Sequence, residues 1–229
     1  MKSLLHLIAV LAVVILIGCV TFDFPFLKEP RYQGRTLTQW LEPERKPKNS
    51  YSYRSIVHTR VEPKSEEVQR AVKAIGTNAI PVFLKMAQAK DSFLKTSLNS
   101  LLDQQTIIHF RFRSASEQRV MAFQGFEILA EDAKSAAPAL ALLTKNSNAG
   151  VRYTAIKNLY RVRPDKDMIV PVLLLSCHDP DSSIRFLANV GLRYISPQEL
   201  ERAGIPDMLL SIHAQAKNNV EVNAPAATK

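Results

Sequence analysis

Glycine is scarce in this chain, at 7 of 229 residues, and cysteine scarcer still, at 2, with a single tryptophan. So few glycines argue against a loop-rich sheet protein. Two isolated cysteines, Cys19 and Cys177, carry no metal-ligand spacing and no disulfide framework. Cys177 closes the apolar run Val172–Leu175 and reads as a core residue. No glycine-rich phosphate loop, Gly-x-Ser-x-Gly elbow or His-Glu-x-x-His pair occurs, and His6, His58, His109, His178 and His213 are scattered. The sequence therefore offers no catalytic, cofactor-binding or metal-binding residue, and a non-enzymatic role is expected.

What the chain does have begins at its N-terminus. Leu4 to Val20 is almost unbroken Leu, Ile, Val and Ala, interrupted only by His6 and Gly18. Seventeen residues at about 1.5 Å each reach about 26 Å, just short of a bilayer's hydrocarbon core unless Thr21 and Phe22 join in. Residues 1–22 therefore read as a signal peptide or a membrane anchor. Leu16-Ile17-Gly18-Cys19 resembles a bacterial lipobox, in which cleavage before the cysteine leaves it as the acylated N-terminus. Two readings stand: Cys19 is lipidated, or it is one more small residue in an uncleaved helix. Lys28, Arg31 and Arg35 come after the segment and only Lys2 precedes it, so an uncleaved helix would hold the rest of the chain in the cytoplasm. Lipidation would place it on the periplasmic face of the cell envelope, the side favoured.

Residues 23–64 are rich in Pro, Lys, Arg, Ser and Tyr and read as a basic extended tether. From Lys28 to Lys64 nine Lys/Arg face four Glu, a net of +5 out of the chain's +9. Such a stretch beside an anchor gains on the order of 1 kcal/mol per basic residue from an anionic leaflet, although a solvated linker has the same composition. Trp40, with Leu37 and Leu41, makes a short amphipathic turn, suited either to a headgroup interface or to closing the open end of a helical stack.

Beyond the tether the chain keeps a beat. Arg119, Arg152 and Arg185 are spaced 33 apart (152 − 119 and 185 − 152), each opening an apolar helical run. Pro81, Pro138 and Pro171 are each succeeded ten residues later by Asp91, Asn148 and Asp181, and four further on by Lys95, Arg152 and Arg185. Arg152, Ala155 and Leu159, and again Arg185, Ala188 and Leu192, fall along one helical stripe. Helices are predicted at Ser65–Ile75, Asn78–Ala89, Ser92–Gln104, Ser116–Leu129, Ser135–Lys145, Ala149–Tyr160, Lys166–Ser176, Pro180–Ile195 and Ile205–Ala216. Asp179 is placed to cap the helix that Pro180 opens, and Asp181 to pair with Arg185. A period in the thirties built from paired helices is the mark of an α-solenoid, so the expected class is all-α, with the solenoid over 65–216 and a frayed tail at 217–229.

The beat fails between Lys95 and Arg119, where an irregular insert is expected near 105–115. There Ile108-His109-Phe110-Arg111-Phe112-Arg113 alternates strictly, as an extended strand does. One face carries the aromatics; the other sets His109, Arg111 and Arg113 in a basic strip. That strip either holds a phosphate or carboxylate of an anionic partner or keeps the outer face soluble while the aromatics dock.

The recurring Pro, Asp/Asn, Lys/Arg and Ala resembles the HEAT-repeat pattern over roughly residues 66–216. The segments Tyr32–Leu41 and Ile75–Pro81 further resemble membrane-anchored bacterial HEAT-domain proteins of unassigned role. The resemblance implies a membrane-tethered scaffold with an unidentified protein partner. HEAT-type hydroxylases hold iron with repeated His-Glu pairs, and here no His precedes a Glu. HEAT-like DNA glycosylases use a basic groove; a nucleic-acid or anionic-ligand binder of that kind is the alternative, weakened because much of the positive charge lies in the tether.

Overall fold

A computed structural model describes residues 29–42, 65–103 and 112–210. Cys19 and the apolar N-terminal run, most of the tether, His109, Arg111 and the tail lie outside these residues. Helix accounts for 75% of what is described, and the sheet found there is a hairpin of two-residue strands, so the described part is all-α. Among the described residues no helix is long and apolar enough to cross a membrane.

The first elements fold within the stretch expected to be a tether with a short turn at Trp40. Strands β1 (Arg31–Tyr32) and β2 (Arg35–Thr36) pair antiparallel around Gln33 and Gly34, both at positive φ, as a tight hairpin turn requires. Thr36 and Gln39 then form a reciprocal capping box that starts α1 (Leu37–Leu41). Leu37 and Leu41 are fully buried against α2 (Glu66–Ile75) and the later helix α5. The Trp40 indole is buried too, its Nε1 donating to the Tyr32 carbonyl at 3.0 Å and the Arg35 guanidinium lying 4.1 Å from its ring centroid. Of the two uses for Trp40, the geometry matches closure of the end of the stack.

A 3-10 turn (Gly76–Ala79) leads into α3 (Ile80–Ala87). Helix α4 (Phe93–Asp103) comes next, then α5 (Ala115–Leu129), a second 3-10 segment (Ala130–Ala136), α6 (Ala137–Leu143), α7 (Ala149–Val162), α8 (Lys166–Ser176), α9 (Ser182–Ile195) and the short α10 (Pro197–Arg202). Helix α3 packs on α5, α6 on α7 and α8 on α9, while α2, α5, α7 and α9 touch in succession. Small residues permit that closeness. Ala122, Ala155 and Ala188, again 33 apart, are fully buried. A Cβ on Gly125 would fall 2.2 Å from the Phe83 ring, and one on Gly191 1.9 Å from the Tyr160 hydroxyl. Midway between those glycines in register, Asn158 is fully buried with both amide atoms unpartnered, a cost of about 1–3 kcal/mol.

The loops explain the beat. In the α6–α7 loop the Asn146 side chain accepts the Asn148 amide; in the α8–α9 loop the Asp179 side chain accepts the Asp181 amide. Asn148 and Asp181 then cap α7 and α9, accepting from Val151 and from Ser183 and Ile184. Arg152 donates to the carbonyls of Asn146 and Ser147, six and five residues back, and Arg185 does the same to Asp179 and Pro180. Asp181, expected to pair with Arg185, thus serves as the cap, and α9 starts at Ser182 rather than Pro180. Asp179 is freed from capping to take Arg152 in a two-pronged pair at 2.7 and 2.8 Å, with side chains only 12% and 8% exposed. Its carboxyl is held below the usual range, first by those hydrogen bonds from Arg152.

Candidate interaction surface

The α3–α5 connection departs from this pattern, and with it the sequence-predicted site. Asp91, counted from Pro81, stands where Asn148 and Asp181 stand, yet it is not the cap. Its Oδ1 accepts the Ala115 amide, 24 residues on, at 2.7 Å, as Asn146 and Asp179 accept from Asn148 and Asp181. Ser114 caps the helix, its side chain accepting from the Glu117 amide. Arg119, not Lys95, is the counterpart of Arg152 and Arg185, reaching the Ala89 carbonyl at 2.6 Å. Burial lowers the Arg119 pKa, partly offset by Asp91. The described residues between, 92–103 and 112–114, therefore stand outside the frame, which departs from its beat earlier than the insert expected near 105–115. Helix α4 occupies this excursion with a core of its own, in which Leu98 and Leu102 meet Phe112. Asn99 brackets the Phe112 backbone, accepting its N–H and donating to its C=O, both at 2.9 Å. Phe112 thus docks on α4.

Of the basic strip, only Arg113 lies within the described residues. It pairs with Glu42, just beyond α1, and lines a cavity of about 270 Å³ with Glu29, Thr38, Val82, Lys85, Met86, Gln118 and Met121. The floor is apolar and the rim mixed in sign. Glu29 accepts the Thr38 amide, and Arg113, the one described member of the strip, is already matched by Glu42. Among the described residues no three His, Cys, Asp or Glu side chains gather as metal ligands. Burial pushes the Cys177 thiol up to about 11, which leaves it an inert core group.

A second surface is one that no single stretch of sequence announces. The residue after each frame arginine, Val120, Tyr153 and Phe186, is partly exposed on α5, α7 and α9 respectively. The same 33-residue register that identified the arginines carries this column one position on. Tyr194, 77% exposed, extends the apolar ground on α9. Beside the column the Lys157 ammonium lies 4.1 Å from the Phe123 ring centroid and 5.8 Å from that of Tyr153, and the Arg161 guanidinium sits 4.9 Å from Phe123. Arg161 also meets Glu127 at 3.2 Å. Burial, reinforced by Arg161 and opposed by Glu127, lowers the Lys157 pKa; burial first, then Asp181, raises that of Tyr153.

No protein family, curated protein or solved structure matches the chain. The surface must be interpreted from its own chemistry: an aromatic and aliphatic column next to two ring-stacked cations, spread over three helices. Such a surface suits a protein partner with an apolar anchor and a carboxylate or carbonyl edge.

Proposed function

We propose that the protein is a membrane-tethered, non-enzymatic scaffold: an α-solenoid of HEAT-like helix pairs that binds another protein of the bacterial cell envelope. The observation that carries this reading is the column Val120, Tyr153, Phe186, which sets equivalent side chains side by side on neighbouring helices with Lys157 and Arg161 alongside. The matched loop bonds of Arg119, Arg152 and Arg185 support the repeat architecture. The tether and the Leu4–Val20 run support anchorage, through an acylated Cys19 on the periplasmic face in the favoured version.

Nucleic-acid binding draws less support, because cations that would line a groove are already matched: Arg113, Arg152, Arg161, Arg163 and Arg193 each meet a carboxylate. The test is a photo-crosslinking residue at position 186 of the full chain in native membranes. One discrete protein adduct is expected, lost when Tyr153→Glu is added. A ladder of unspecific adducts, unchanged by Tyr153→Glu, would defeat the proposal, and mass spectrometry of the mature N-terminus decides the state of Cys19.

A further inference from the structure

Helix α4 is amphipathic, and half of its apolar arc has nothing against it. Leu98 and Leu102 turn inward onto Phe112, whereas Phe93 is 85% exposed, Leu94 59% and Leu101 62%. At about 100° per residue Leu94 and Leu101 lie next to the inward Leu98 and Leu102, with Phe93 about 80° further round beyond Ser97, so the apolar side of the helix is only partly used. Folding gains nothing from leaving them in water, and among the described residues no other helix packs on α4 more than sparsely.

Position says what covers them. The end of the excursion is joined to the N-terminal cap by the Arg113–Glu42 pair, and cap and excursion share the cavity bounded by Glu29, Thr38 and Arg113. Glu29 lies nine residues beyond Val20, the last residue of the apolar run, and nine residues reach at most about 32 Å even fully extended. Whatever surface holds the run is thus within reach of the root of α4. The charge also fits: residues 90–113 hold Lys90, Lys95, Arg111 and Arg113 against Asp91 and Asp103, a net of +2, and the neighbouring tether adds its +5. Asp91 is moreover engaged by the Ala115 amide at the start of α5.

We infer that α4 is a second membrane contact, lying in the headgroup layer of an anionic bilayer with Phe93, Leu94 and Leu101 immersed and the flanking lysines on lipid phosphates. This rests on the membrane-tethered reading above. Two attachments, the N-terminal run and α4, fix the orientation of the stack and present the Tyr153–Phe186 column at a set angle to the membrane. A single flexible attachment leaves that angle free.

Hydrogen–deuterium exchange on the full chain in nanodiscs with about one third anionic lipid tests it. The amides of α4 are expected to exchange about tenfold more slowly than those of a Phe93→Glu/Leu101→Glu chain in the same discs, with α5 to α9 alike in both. The apolar swap Phe93→Leu/Leu101→Met should keep the protection, which separates immersion from helix strength, and purely zwitterionic discs should reduce it. If the chain stays on the discs but α4 exchanges as fast as in the double-glutamate variant, the inference falls and the tether stands. If the chain leaves the discs altogether, the tether reading falls and the inference with it. Protection that rises with the number of chains per disc would identify a second copy as the occupant and overturn the lipid contact.

Discussion

The α6–α7 and α8–α9 loops and the α3–α5 connection perform the same task with very different lengths of chain. In the two short loops, an Asx side chain, a cap and an arginine close the turn within seven residues, Asn146 to Arg152 and Asp179 to Arg185. In the long connection the Asx side chain and the arginine survive, Asp91 to the Ala115 amide and Arg119 to Ala89, while Ser114 supplies the cap. Arg119 stands 28 residues after Asp91 (119 − 91), against 6 from Asp179 to Arg185 (185 − 179). Arg119 reaches one loop carbonyl where Arg152 and Arg185 each reach two, so the arginine holds this turn less firmly. The frame of the stack is held by a few polar contacts at fixed positions, and the chain between them is free to vary.

The contrast between the turns can be tested where it predicts most. Arg152→Ala leaves a buried Asp179 carboxylate and two loop carbonyls unmatched, and chemical denaturation should show a loss of about 2–3 kcal/mol. Because the folded Asp179 pKa is depressed below 3.8, its stabilisation is fully present above that value and drains away as pH falls through the lower folded value. Stability measured from pH 6 downward should therefore fall less on acidification in the Arg152→Ala chain than in the parent. Arg119→Ala, with one loop carbonyl at stake, should cost about 1.5 kcal/mol by the same measurement. A loss equal to that of Arg152→Ala would mean that the two turns are not graded as described.

A gain comes next. Gly76 and Ala130 end α2 and α5 in nearly the same backbone conformation, φ 62 with ψ −141 and φ 48 with ψ −121. Alanine is strained there and glycine is not, so Ala130→Gly should raise stability by about 1 kcal/mol, read from the denaturation midpoint. Smallest is the effect of removing residues 92–115, which sets Asp91 four residues before the frame arginine, as in the short loops. The cluster of Leu98, Leu102 and Phe112 is separate from the main core, so stability should change by less than about 1 kcal/mol with the helical circular dichroism of the stack retained. Collapse of the stack would show that α4 is part of the frame after all.

Much of the frame is legible in the sequence because its repeated residues lie at equal spacing: Arg119, Arg152 and Arg185 mark true equivalents, and Lys166–Ser176 forms a helix with the predicted ends. Counting along the chain from Asp91 points to Lys95 and misses, because the hydrogen bond skips the excursion. Asp179 resembles a cap for want of any local sign that Arg152, 27 residues earlier, would claim it. The Leu37–Leu41 helix shows as an amphipathic turn, but the two-residue strands of the hairpin before it are too short to show a period within a basic, proline-rich stretch. Arg113 looks available for an anion because its partner Glu42 is 71 residues away. The Tyr153–Phe186 column needs only the arginine register shifted by one, but a large apolar side chain on a helix looks like core.

The Tyr160 phenol lies in the notch left by Gly191, and its hydroxyl donates to the Leu187 carbonyl at 2.8 Å. Sliding α9 along α7 by one residue would drive a side chain into that ring and break the bond at once. The two helices therefore mesh like gear teeth, and a load drawn along the helix axes meets a positive stop rather than a greased interface.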